Sequence, residues 1–137
     1  MTIVLRSLFY RSERLPSSNT FIIDFIARGD SEQEWKLVLV EEGPWEDLDS
    51  ELRRLQDRVY NCLEAALDGH VAEQFPGSIR SAIVIQLDGY NLPDDPVTAF
   101  WRRFSSQVFS IPDFAQALAS SEFVSEFKFK LNLSTTS

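Results

Sequence analysis

The sequence predicts an α+β fold: a single, mostly antiparallel sheet with the helices packed on one of its faces. Three observations predict it. Toward the end of the chain, Phe127, Phe129, Leu131 and Leu133 alternate with Glu126, Lys128, Lys130 and Asn132, as in a strand with one buried face. In the middle, Leu48, Leu52, Leu55, Val59, Cys62 and Ala66 recur three and four residues apart, the stripe of an amphipathic helix. The whole chain reads β-β-α-β-α-α-β, with residues 2–10 as an extra N-terminal strand, and that order suits one sheet under a helical layer.

Each element has its own signal. Leu15-Pro16-Ser17-Ser18-Asn19 is a turn, and residues 20–28, rich in Phe and Ile, follow as a strand. The short polar stretch after Arg28 leads into a strand over 34–41, so the two should form an antiparallel hairpin. Gly43-Pro44 closes that strand and opens the long helix, with Pro44 at its first position. Asp68-Gly69 stops the helix, because glycine takes the left-handed conformation after a helix end at little cost. Residues 79–88 form the next strand, and Asp88 to Pro93 form a loop. Asp95 caps a second helix whose face is Val97, Phe100, Trp101, Phe104 and Val108. Ser110-Ile111-Pro112-Asp113 resembles a capping box and starts a short third helix.

The strands carry two kinds of face. Phe21/Ile23/Phe25, Trp35/Leu37/Leu39, Ile83/Ile85/Leu87 and Phe127/Phe129/Leu131 are apolar and should lie under the helices. Ile22/Asp24/Ile26, Lys36/Val38/Val40, Val84/Gln86/Asp88 and Glu126/Lys128/Lys130 are mixed, and would share the other side as a partly apolar patch.

A chain of 137 residues with 44% hydrophobic residues has matter for one core, so residues 1–137 are expected to form a single globular domain. No apolar run reaches the roughly 18 residues of a membrane span. Arg6 interrupts a start already too short for a signal peptide. With one cysteine, Cys62, there is no internal disulfide, and a soluble cytoplasmic protein is expected. The net charge of −8 is concentrated. Residues 30–51 hold nine acids against Lys36, a deficit equal to that of the whole chain. Such a surface repels phosphate backbones, so neither nucleic acid nor membrane is expected as a partner.

The same inventory limits the chemistry. His70 is the only histidine, and it follows Cys62 by eight residues, roughly 12 Å along a helix, too far for a nucleophile and its base. One Cys and one His cannot make a usual zinc site. Asp94-Asp95 lacks the alternate spacing of a calcium loop, and no glycine-rich phosphate loop occurs. No catalytic residue, metal ligand or cofactor is expected.

What remains is the acidic stretch. A helix start favours anions at Glu46, Asp47 and Asp49. That explanation does not extend to Glu41, Glu42 and Glu51. Together with Trp45, an aromatic flanked by charge, these six carboxylates form the candidate partner-binding residues. The expected function is a non-catalytic acidic protein-binding module for a basic protein partner. An inhibitor, a bacterial immunity protein or a chaperone-like protein would each have this physical profile. One alternative is a small-ligand binder or enzyme using carboxylates of the Asp88–Asp95 loop and the mixed sheet face. Another is a structural subunit that self-associates as a homodimer through that face or a strand edge.

Overall fold

The computed structural model describes residues 3–4, 8–9, 21–29 and 33–134. The class is α+β, as the sequence predicts. Strands β1 (Ile3–Val4), β4 (Phe25–Arg28), β5 (Glu34–Glu42), β6 (Ser81–Tyr90) and β7 (Val124–Ser134) form one sheet in the order β1-β4-β5-β6-β7. β2 (Leu8–Phe9) and β3 (Phe21–Ile23) pair separately. The turn expected at 15–19 and parts of the two N-terminal strands lie outside the described residues.

The sheet is mixed where the sequence suggested mostly antiparallel. β4 and β5 are antiparallel, as expected of a hairpin. β5–β6 and β6–β7 are parallel. The reason lies in the connections. Helix α1 (Leu48–Leu67) joins β5 to β6, and α3 (Asp94–Gln107) with α4 (Pro112–Ser120) joins β6 to β7. A helical crossover returns the chain to the same end of the sheet, whereas a tight turn reverses it. Both crossovers step in the same direction, and the right-handed rule then places all three helices on one face.

That face is the core. Leu37, Leu39, Ile83, Ile85 and Leu87 are buried beneath Leu55, Val59, Cys62 and Leu63 of α1 and Val97, Trp101 and Phe104 of α3. α4 has no fully buried residue; its Phe114 stacks on Tyr60 of α1 at 5.2 Å between ring centroids. α1 ends as predicted, with Asp68 at the cap and Gly69 at a φ of 89°. A side chain there would also meet the Phe123 ring at 2.8 Å. Gly69 then opens a short helix, α2 (His70–Gln74), which has no forecast in the sequence.

Three helix starts differ from expectation. α1 begins four residues after Pro44, with Asp47 as its cap: the Asp47 carboxylate accepts from the Ser50 backbone N–H and, at 2.9 Å, from the Ser50 hydroxyl. α3 begins at Asp94, ahead of the expected cap Asp95, and Asp94 accepts from the Thr98 hydroxyl at 3.1 Å. Ser110 does not cap α4; its hydroxyl donates back to the Gln107 carbonyl at 2.6 Å, satisfying an orphan acceptor of the preceding turn.

The face assignment is reversed at Asp24 and Ile26. Ile26 lies opposite Leu37 in the ladder and is fully buried in the core, while Phe25 lies opposite Val38. Asp24 also points to the helical side, where Arg58 of α1 donates to it at 2.5 Å. The far side of the sheet is not an exposed apolar patch either. Val38, Val84 and Gln86 are buried. Lys128 crosses β6 to bond Glu34 on β5 at 3.1 Å, so its aliphatic stem covers the small residues between them.

Candidate functional site

Parallel pairing brings the carboxyl ends of β5, β6 and β7 to a single edge of the sheet, at Glu42, Tyr90 and Ser134. The connections that leave this edge are tied together. The Gly43 N–H donates to the Tyr90 carbonyl at 2.8 Å, and the Asn91 N–H donates to the Ser134 carbonyl at 2.9 Å. A Cβ on Gly43 would stand 1.9 Å from the Asn91 carbonyl oxygen, so this contact requires glycine. The amino ends of α1 and α3 follow directly.

This arrangement divides the predicted residues. Glu41 belongs to the interior. Alternation along β5 puts it on the helical face with Trp35, Leu37 and Leu39, and its side chain is only 4% exposed. Arg58 bonds it at 2.6 Å, and Arg54 bonds both of its oxygens. The carboxylate holds the Arg54 pKa above its ordinary value. Glu51 is half-buried and pairs with Arg54 at 3.0 Å. Glu41 is thus closed off and Glu51 is drawn toward Arg54, so the six candidate carboxylates do not stand equally exposed.

Glu42, Glu46, Asp47 and Asp49 do remain exposed. The hydrogen bond from the Ser50 side chain holds the Asp47 carboxyl below its ordinary value, so it stays charged. Trp45 is half-buried and packs against the core.

Two further acids join these four. Asp94 and Asp95 are exposed in the first turn of α3, at the same end of the sheet. Neither residues 42–52 nor residues 88–101 contain a Lys or Arg. Two of the large hydrophobic residues exposed in the structure, Leu48 at 36% and Tyr90 at 38%, also lie here. Acids and exposed apolar groups thus share this end of the sheet, with Arg53 just beyond the first stretch acting on Asp47. The sequence reading kept Asp94 and Asp95 apart from the acidic stretch, as part of the alternative site in the Asp88–Asp95 loop, because an antiparallel β6 would carry them to the opposite end.

Two concave features stand out, one away from this end and one bordering it at Tyr90 and Ser134. A cavity of about 650 Å³ opens between α1 and α4 beside Tyr60 and Phe114. A polar hollow of about 580 Å³ runs along the ends of β6 and β7, where Asp88 accepts from the amides of Gln86 and Asn132. Cys62 is fully buried, and desolvation pushes its thiol up to about 12, so it is no nucleophile at neutral pH. Among the described residues, no three of His, Cys, Asp and Glu gather as a metal-binding group, and no helix is long and apolar enough to cross a membrane.

No curated protein and no solved structure matches the chain. A family model does, over residues 17–117, and the chain accordingly belongs to the family of unknown function DUF6572.

Proposed function

We propose that the chain is a non-catalytic, cytoplasmic protein-binding module that docks a basic protein partner at the carboxyl end of its sheet, as an inhibitor, immunity or chaperone-like protein would. One observation carries this reading: six exposed carboxylates from two loops share that end with Tyr90 and Leu48, and neither loop contains a cation. Anions at a helix start favour the helix dipole. That effect accounts for the acids of each helix taken singly, but not for the exposed Leu48 and Tyr90 at the same end. Interface anchors are typically an aromatic ring inside a charged rim.

Affinity purification of the chain from its native cells, followed by kinetics with the partner identified, tests the reading. Combined Glu42→Gln, Asp49→Asn, Asp94→Asn and Asp95→Asn changes should slow association and flatten its salt dependence. Tyr90→Ala should instead speed dissociation. Association with a basic partner that ignores both sets of changes would place the interface elsewhere.

A second reading rests on the polar hollow at Asp88, Tyr90 and Asn132, which would suit a small hydrogen-bonding ligand. Thermal-shift screening of polar metabolites against the chain and Asp88→Ala separates the two. A shift that Asp88→Ala abolishes would favour the ligand.

A further inference from the structure

We propose that the outer edge of β7 pairs antiparallel with β7 of a second copy of this chain, in the register that sets Lys128 opposite its own counterpart. β7 is the terminal strand in the sheet order, and among the described residues only β6 pairs with it. It runs for 11 residues, so its outer side presents a long row of backbone donors and acceptors. The helical layer does not finish covering it. Phe127, Phe129, Leu131 and Leu133 are only partly buried, whereas Ile83, Ile85 and Leu87 on neighbouring β6 are buried. The two phenylalanines are held in place from behind. Phe127 stacks on Phe109 at 5.4 Å, and Phe129 meets Trp101 edge-on at 6.0 Å.

The charge pattern of the strand identifies the occupant as a second copy. In an antiparallel pair, residues directly opposite one another share a face. The register centred on Phe129 would use the whole strand, but it sets Lys128 against Lys130 twice. The register centred on Lys128 sets Glu126 against Lys130 twice, and Phe127 against Phe129 twice. Its central lysines are already matched, each by Glu34 of its own chain at 3.1 Å. Centring on Phe127 also pairs opposite charges but uses less of the strand. Lysines on an edge strand ordinarily discourage pairing. With Glu126 two residues before Lys128, they instead select one register, and the contact closes on itself as a two-fold dimer. This surface is separate from the acidic end, so either proposal can fail without the other.

Sedimentation of the full chain over a rising concentration series tests the dimer, with circular dichroism confirming that each variant is folded. The chain should self-associate. Glu126→Lys sets like charges at both outer pairs, as does Lys130→Glu, and each should weaken dimerisation by about tenfold or more. An equimolar mixture of the two variants should dimerise like the original chain, because each cross-pair again joins opposite charges. A chain that stays monomeric throughout, or single variants that dimerise undiminished, would overturn the proposal. Failure of the mixture to recover would overturn the register on which it rests.

Discussion

Arg58 is the clasp of Glu41: its guanidinium meets that buried carboxylate at 2.6 Å and fixes α1 over the end of β5. The same group donates to the Val40 carbonyl at 2.8 Å and to Asp24 at 2.5 Å, so one side chain gathers acceptors from neighbouring segments of the chain. Removing a single partner of a buried pair leaves the other charge uncompensated, typically costing about 3–5 kcal/mol. Arg54, half-exposed, would remain for Glu41 and soften that loss. Arg58→Ala should therefore destabilise by about 3 kcal/mol in urea unfolding, and a loss below about 1 kcal/mol would mean that Arg54 suffices alone.

Leu55 and Val59 are fully buried against the sheet. Leu55→Ala should cost about 2–5 kcal/mol through lost transfer energy and the cavity left behind. Denaturant midpoints would report it directly. An effect under about 0.5 kcal/mol would be incompatible with this packing.

Cys62 makes alkaline stability a readout of burial. Burial pushes its thiol up to about 12 in the folded chain, above its ordinary value of 9.0. A raised folded value means that the contribution is complete below the unfolded pKa and is lost as pH climbs through the window between the two. Unfolding free energy should fall across that window, and less steeply in Cys62→Ala, where the thiol is gone. Equal slopes would show that the thiol ionises in place.

Asp47 works in the opposite sense. The Ser50 side chain lowers its pKa beneath 3.8, so its contribution is present above the ordinary carboxylate range and disappears as pH falls through the folded value. Asp47→Ala should lower the melting temperature at neutral pH and remove part of the acid dependence. Asp49→Asn, which breaks no cap, should lower the melting temperature less.

Much of this fold was legible in the sequence, and the omissions have a common cause. The β7 alternation, the α1 stripe from Leu55 onward and the Asp68-Gly69 stop survive, because each is a local pattern that burial on one side imposes, while Leu48 at the head of the stripe is exposed. Strand direction leaves no such trace: an alternating pattern reads identically both ways. The mostly antiparallel sheet, and the omission of Asp94 and Asp95 from the acidic end, both follow from that symmetry. The helical crossovers were the available signal. Asp24 and Glu41 were misplaced for a different reason. Local pattern sends acids outward, and only Arg54 and Arg58, one turn apart on α1, hint at cations waiting inside.

The parallel centre of the sheet also sets an order of assembly. β4 and β5 can zip together across a short connection, but β5 meets β6 only after the whole stretch from Gly43 to Arg80 has been drawn in. β7 in turn needs an ordered β6 before it has anywhere to dock. Contacts between distant parts of a chain are entropically slow to close, and proteins built on them fold more slowly than those built on neighbours. Refolding should thus begin with the hairpin and α1, and the ladder nearest β7 should be the last to gain protection from hydrogen exchange.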